Sequence, residues 1–250
     1  MANHVIRPIP LEKSTGMTYK FTYLVGYGSP ELRVAYAWYI EGPKEKILVD
    51  TGCEPSGLVP QPVMFPMDGK FEHVQSIEEG LAKYNLTPED IDIVILTHMH
   101  EDHVQLVRKY TNAKVVVQKA ELEMARHPHP VQQFTYLKDD WGDVNFEIIT
   151  GDQKIVEGVE VISTPGHSAG CQSVAVDTAA GKAVLTGFCC IRRNFEPPEG
   201  YAAPMIAPGI HLNAVEAYES MEKLKQIADI IVPIHDKEYL EVAGIPEAAS

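Results

Sequence analysis

One short stretch constrains this chain more than any other: His98-Met99-His100-Glu101-Asp102-His103 puts three imidazoles and two carboxylates on a single turn. The six residues before Thr97, Ile91–Leu96, are apolar except for Asp92, the composition of a strand covered on both faces. In open α/β sheets, ligands collect beyond the C-terminal ends of strands, where side chains from several connections converge. Three histidines and an aspartate at that place suit zinc, iron or manganese. An ordinary polar turn is the plain alternative, but nothing in folding asks for this run, and burying imidazoles without a partner is costly.

Around this turn the pattern alternates between strand and helix. From Tyr19 to Asp50, β-rich runs separated by Gly, Pro and charged residues predict a mostly antiparallel sheet. Glu54–Gly69 carries Pro55, Gly57, Pro60, Pro62 and Pro66 and has neither period, so it reads as a loop able to cover a substrate. Ser76–Tyr84 spaces Ile77, Leu81 and Tyr84 on one helical face. After the histidine turn, the expected order is a helix near Val104–Tyr110, a strand over Lys114–Gln118, a helix around Ala120–Arg126 and a loop from His127 to Asp139. Further strands are expected over Phe146–Thr150, Ile155–Thr164, Gln172–Thr178, Ala183–Gly187 and Ile230–Ile234, with a helix over Asn213–Ile227. The succession repeats twice without close sequence repetition, and residues 1–250 are read as one α/β domain.

Charge narrows the function. The net charge of −14 repels a phosphate backbone, and no basic patch offsets it, so a nucleic-acid partner is not expected. Met1–Lys13 has no apolar stretch of a signal peptide, and no run approaches the roughly 20 apolar residues of a membrane helix, so the expectation is a cytoplasmic protein without a membrane partner. Four cysteines, two of them adjacent at Cys189 and Cys190, read as reduced thiols rather than a disulfide framework.

The HxHxDH turn after a buried strand resembles the signature of the metallo-β-lactamase superfamily, and further matches follow in that family's order: Asp50 before it, His167 in Ser163–Gly170, and His235 in Pro233–Asp236. The resemblance runs from Thr22 to Asp236 and is nearest to the N-acyl homoserine lactonases, through Thr97–Val104, Ser163–Gly170, Ala217–Lys225 and Asp229–Asp236. It implies a four-layer αββα sandwich and two divalent metals, zinc first, with iron or manganese as alternatives. By the same resemblance His98, His100 and His167 hold one metal, Asp102, His103 and His235 hold the other, and Asp50 orients the histidine turn from behind. The implied reaction is hydrolysis of a lactone, a small-molecule substrate, by a hydroxide that the metals activate, with Asp102 returning a proton to the leaving alkoxide. A homodimer stays open.

Two departures from the family matter. Its bridging aspartate falls in Val184–Cys190, where direct alignment supplies Phe188; Cys189 or Cys190 can replace the carboxylate as a thiolate, or both are small core residues. Without a bridge the second metal is weaker. A tyrosine that lactonases place shortly afterwards is absent from Ile191-Arg192-Arg193-Asn194, where Arg192 and Arg193 suggest an anionic substrate or simply a solvated pair. His211, after a Pro-Gly turn that resembles a segment of the lactonases, is read as a candidate substrate contact. A thioester or cyclic-amide hydrolase on the same site, and a metal-binding protein whose second site has decayed, are the competing readings.

Overall fold

The structure, a computed structural model, describes residues 4–54 and 71–246. Apart from Glu54, the stretch read as a covering loop lies outside the described residues.

Strands β1 (Val5–Met17), β2 (Pro30–Glu41), β3 (Ile47–Val49), β4 (Glu72–His73), β5 (Ile93–Ile95), β6 (Lys114–Gln118) and β7 (Phe146–Ile149) form one sheet in the order β4-β1-β2-β3-β5-β6-β7. It is antiparallel from β4 to β3 and parallel from β3 to β7. Strands β8 (Gln153–Val156), β9 (Val159–Ser163), β10 (Gln172–Thr178), β11 (Gly181–Leu185) and β12 (Ile230–Val232) form a second sheet in the order β12-β11-β10-β9-β8. The described α-helices are α1 (Ile77–Ala82), α2 (Glu101–Val104), α3 (Lys119–Arg126), α4 (Lys138–Trp141), α5 (Arg192–Phe195) and α6 (Ala214–Ile227), with five short 3₁₀ turns besides.

Alternation along the strands builds the layers. Ile93 and Ile95 pack into the slab between the sheets, together with Val116, Val174, Val176, Ala183 and Leu185. Their neighbours Val94 and Leu96 face the other way, into a second core with Ile77 and Leu81 of α1, Leu122 and Ala125 of α3 and Trp141 of α4. On the far side, Ala175 and Val184 meet Phe195 of α5 and Met221 and Leu224 of α6. The result is the expected αββα sandwich, and it explains why Ile91–Leu96 is apolar at successive positions: both faces of β5 are covered. Helix starts follow the sequence: Ser76 and Glu79 form a capping box on α1, and Asn213 accepts from the amides of Val215 and Glu216 to open α6.

The first strand corrects the sequence reading. Tyr19–Tyr27 forms no strand; it is a 3₁₀ turn and a bend with Leu24 at φ +58°. The pairing instead starts at Val5, in a segment whose Pro8 and Pro10 argue against a strand. Pro8 and Pro10 are tolerated because their strand lies beside the two-residue edge strand β4, which pairs only at Glu12 and Lys13. A register shift between Pro10 and Glu12 turns Glu12 inward, where it is fully buried. The helix expected over Val104–Tyr110 is likewise shorter and displaced, comprising α2 and a 3₁₀ turn at Val107–Lys109. Among the described residues no helix is long and apolar enough to cross a membrane.

Leu48 of β3 is wholly buried in the core under α1, so Leu48→Ala is expected to cost about 2–5 kcal/mol, read as a lower midpoint in denaturant unfolding. The same substitution at the exposed Leu212 should change the midpoint little.

Candidate metal centre

The loops that leave β3, β5, β9, β11 and β12 meet at one end of the two sheets and carry Asp50, His98–His103, His167, Cys189 and His235 respectively. Asp50, the first residue after β3, sits at φ +56°, a conformation a non-glycine residue adopts only when its surroundings require it. Here its carboxylate accepts from the Thr97 amide at 2.7 Å, the Thr97 hydroxyl at 2.8 Å and Nδ1 of His103 at 2.7 Å. The strained aspartate therefore holds the histidine turn at both ends.

Two sets of donor atoms result, His98 with His100 and His167, and Asp102 with His103 and His235, each set lying within 4.8 Å of itself. Hydrogen bonding fixes the direction of the ring nitrogens. The Thr97 hydroxyl gives its one proton to Asp50, so at 3.0 Å it accepts from Nδ1–H of His98. Nδ1–H of His167 donates to the Ile210 carbonyl at 2.6 Å, and Nδ1–H of His235 to the Val34 carbonyl at 2.9 Å. Nε2 of His98 and Nε2 of His167 then face each other at 3.2 Å with a lone pair each and no proton between them. Nε2 of His100, in the same set, is buried and has no partner. Lone pairs converging at buried positions repel unless a cation or a proton donor sits among them, so the residues fit a metal.

Electrostatics agree. Burial holds His98 and His100 well below the ordinary imidazole range, lowers His167 to about 4 and lowers His235 to about 3, so all four are neutral ligands at neutral pH. His103 behaves oppositely: burial opposes its charge, but the Asp102 and Asp50 carboxylates outweigh burial and push it up to about 10. A cation at its Nε2 must displace that proton.

The reading from sequence missed three side chains. Glu121, fully buried, accepts on Oε1 from the Met99 amide at 2.9 Å and the Tyr136 hydroxyl at 3.2 Å, and on Oε2 from the Ser168 hydroxyl at 2.6 Å and the Gly170 amide at 3.0 Å. It ties the loop after β5 to the loop after β9. Gly170 approaches so closely that a Cβ there would lie 2.1 Å from the Glu121 amide nitrogen. The available signal was a glutamate on the apolar face of KAELEMAR, one residue before Leu122 and four before Ala125. The other two are Arg33, which pairs with Asp102 and lines the cavity, and Glu12, which lies 3.5 Å from Arg33. Neither falls in a recognisable motif.

The cavity above the donor atoms is walled by Phe21, Phe71, Phe134 and Ile210, with Ser14, Lys20, Arg33 and Glu101 at its polar positions. Cys189 also lines it, while Phe188 and Cys190 point into the core beneath α6, where the Cys190 thiol meets the Thr186 hydroxyl at 2.9 Å. The structure thus separates the two cysteines: only Cys189 faces the site. Its thiol belongs to neither donor set, and burial pushes its pKa up to about 12. Arg192 and Arg193 are absent from the described cavity lining. The Arg192 guanidinium pairs with Glu238 and the Tyr239 hydroxyl, and Arg193 is exposed. His211 is also outside the lining; its Nδ1–H donates to the Pro208 carbonyl and its ring meets Tyr23 edge-on, although its neighbour Ile210 does line the cavity.

Two outcomes follow for metal-free protein. The depressed histidines bind protons in the unfolded chain below about pH 6.5 but resist doing so when folded, so stability should fall as pH drops from about 6.5 towards 4. His103 does not offset the loss over that window, and Glu101, pushed up to about 8 by burial and by Asp102, offsets only part of it; melting temperatures at intervals from pH 7 to 4 read the net slope. Glu121→Gln puts an amide NH2 against donors, two of which are backbone N–H groups, and should cost about 1–3 kcal/mol in denaturant unfolding. Glu123→Gln on the exposed face of α3 should stay within about 0.5 kcal/mol.

Residues 30–235 match the family model described as the metallo-beta-lactamase superfamily. An N-acyl homoserine lactonase from a Bacillus species is 31% identical over 204 residues, covering 77% of this chain and 75% of the relative. One from Bacillus thuringiensis is 30% identical over 214 residues, covering 81% of each. Among solved structures, an N-acyl homoserine lactone hydrolase with its product N-hexanoyl-L-homoserine bound at the catalytic metal center superposes with a TM-score of 0.75 at 26% identity, covering 95% of both chains.

Proposed function

The chain belongs to the metallo-β-lactamase superfamily, and on that footing we propose that it is a metal-dependent hydrolase that opens a lactone ring. The observation that carries this reading is the pair of donor sets on the floor of an apolar-walled cavity, with imidazole lone pairs aimed inward. Its relatives are lactonases of N-acyl homoserine, whose substrates are cyclic esters carrying an acyl group, and the phenylalanine and isoleucine walls suit such a group.

In this reading His98, His100 and His167 hold one cation, and Asp102, His103 and His235 a second, with zinc the first choice for sets of imidazole and carboxylate. Such cations, when bound, supply Lewis acidity to the ester carbonyl and lower the pKa of water. Asp50 keeps His103 turned towards the site, and Glu121 holds the loops of His98–His103 and His167 at a constant separation. Phe21, Phe71 and Phe134 exclude bulk water from the ester. The contacts of Arg33, His103 and His235 with Asp102 all fall on Oδ2, which leaves Oδ1 to take a proton and return it to the departing alkoxide. Cys189 contributes a wall rather than a ligand. In the same reading residues 1–250 act as one cytoplasmic domain.

Metal analysis of protein prepared without chelator, combined with assays on an N-acyl homoserine lactone, a thioester and a β-lactam, tests the proposal. Bound divalent metal with lactone turnover is expected; thioester cleavage without lactone turnover would transfer the assignment to a thioesterase, and metal without turnover of any ester to a binding protein. Asp102→Asn should lower kcat for the lactone by on the order of 10²–10⁴-fold.

A further inference from the structure

The two donor sets differ in one respect that the ligands themselves do not reveal. The polar contacts of the first set are neutral: His98 meets a hydroxyl and His167 a backbone carbonyl. In the second set the only anionic donor is Asp102, and its Oδ2, the oxygen nearest His103 at 3.3 Å and His235 at 3.7 Å, also accepts from the Arg33 guanidinium. Arg33 reaches there from β2 across a strand pair in which it faces Ser14, and its other arm lies 3.5 Å from Oε1 of the fully buried Glu12. Glu12 points inward only because of the register shift after Pro10, and the Cys53 thiol occupies its second oxygen at 3.6 Å. A guanidinium does not deprotonate in proteins, so a cation entering this set cannot relieve the competition by releasing a proton from Arg33. Two positive charges would share one carboxylate oxygen, and their repulsion acts where both side chains are mostly shielded from solvent. No carboxylate comes from the loop after β11 to offset them, since Phe188 and Cys189 stand there.

We propose that Arg33, tethered by Glu12, makes the two metal subsites unequal, so that a divalent cation fills His98, His100 and His167 first, and Asp102, His103 and His235 only at substantially higher concentration. The inference rests on the metal reading of these residues and not on the identity of the substrate. Arg33 is then a positioning residue that sets the metal stoichiometry at a given metal concentration. Glu12 acts through it with opposite sign, because it draws the guanidinium away from Asp102.

Chelator-stripped full-length protein titrated with zinc by calorimetry, and with cobalt(II) by visible absorption, reads the two steps directly. The unsubstituted chain should show two steps separated by at least about tenfold in affinity, the tighter one abolished by His100→Ala and the weaker one by His235→Ala. Arg33→Met should tighten the second step by about tenfold or more and leave the first in place, whereas Glu12→Gln should weaken the second step further. A structural role alone would move both variants the same way. Should Arg33→Met fail to melt cooperatively, the double variant Glu12→Gln/Arg33→Met removes both buried charges and carries the same expectation. Two indistinguishable steps in the unsubstituted chain, a tight step abolished by His235→Ala, or a second step unchanged or weakened by removal of Arg33 would each overturn the proposal. Since no substrate is used, failure here is separate from failure of lactone hydrolysis.

Discussion

The structure depends on keeping five imidazoles buried and neutral or paired at a single point. An imidazole has two nitrogens, and burial is tolerable only if each is satisfied or aimed at a cation. Thr97, Asp50, Ile210 and Val34 take the Nδ1 protons of His98, His103, His167 and His235, so their Nε2 atoms all turn inward. Two of these acceptors are backbone carbonyls from remote segments, and one is an aspartate in a strained conformation. Ring orientation is thus a property of the whole sandwich rather than of the histidine turn.

That requirement accounts for features that look unrelated. Asp50 tolerates positive φ because three hydrogen bonds hold it there. Glu121 is a buried carboxylate, an expensive group, yet four donors satisfy it and it joins two loops whose spacing decides whether His98 and His167 meet. The line Glu12–Arg33–Asp102–His103–Asp50 continues the same logic as a run of alternating charges from the first strand into the site. Buried ion pairs seldom justify themselves by stability alone, so a run that ends on a metal-ligand set points to function.

The loop after β11 shows how a departure from family pattern is absorbed. Phe188 turns into the core under α6 and stacks against Phe195, while Cys190 follows it inward and only Cys189 reaches the cavity. Phe188 and Cys189 lie on a bend after β11, and at that bend the two neighbouring cysteines leave the chain towards different surroundings. The two ligand sets are left with Asp102 as their one carboxylate, and Arg33 sits on it.

By itself the sequence determined the spacing of His98, His100, Asp102 and His103, the doubly covered strand before them, the helical periods of Ser76–Tyr84 and Asn213–Ile227, and the order in which Asp50, His167 and His235 follow the strands. These are short-range or periodic properties, carried by residues close in the chain. It concealed β1, because Pro8 and Pro10 weaken a strand signal that only the edge position makes harmless. Tertiary structure alone decided that Arg192 pairs with Glu238 outside the cavity, that Cys189 and not Cys190 faces the site, and that Glu121, Arg33 and Glu12 stand beside the ligands. Each of these joins residues tens of positions apart through a register shift, a crossover or a loop contact. Such pairings arise from the packing of whole layers, which no local pattern records.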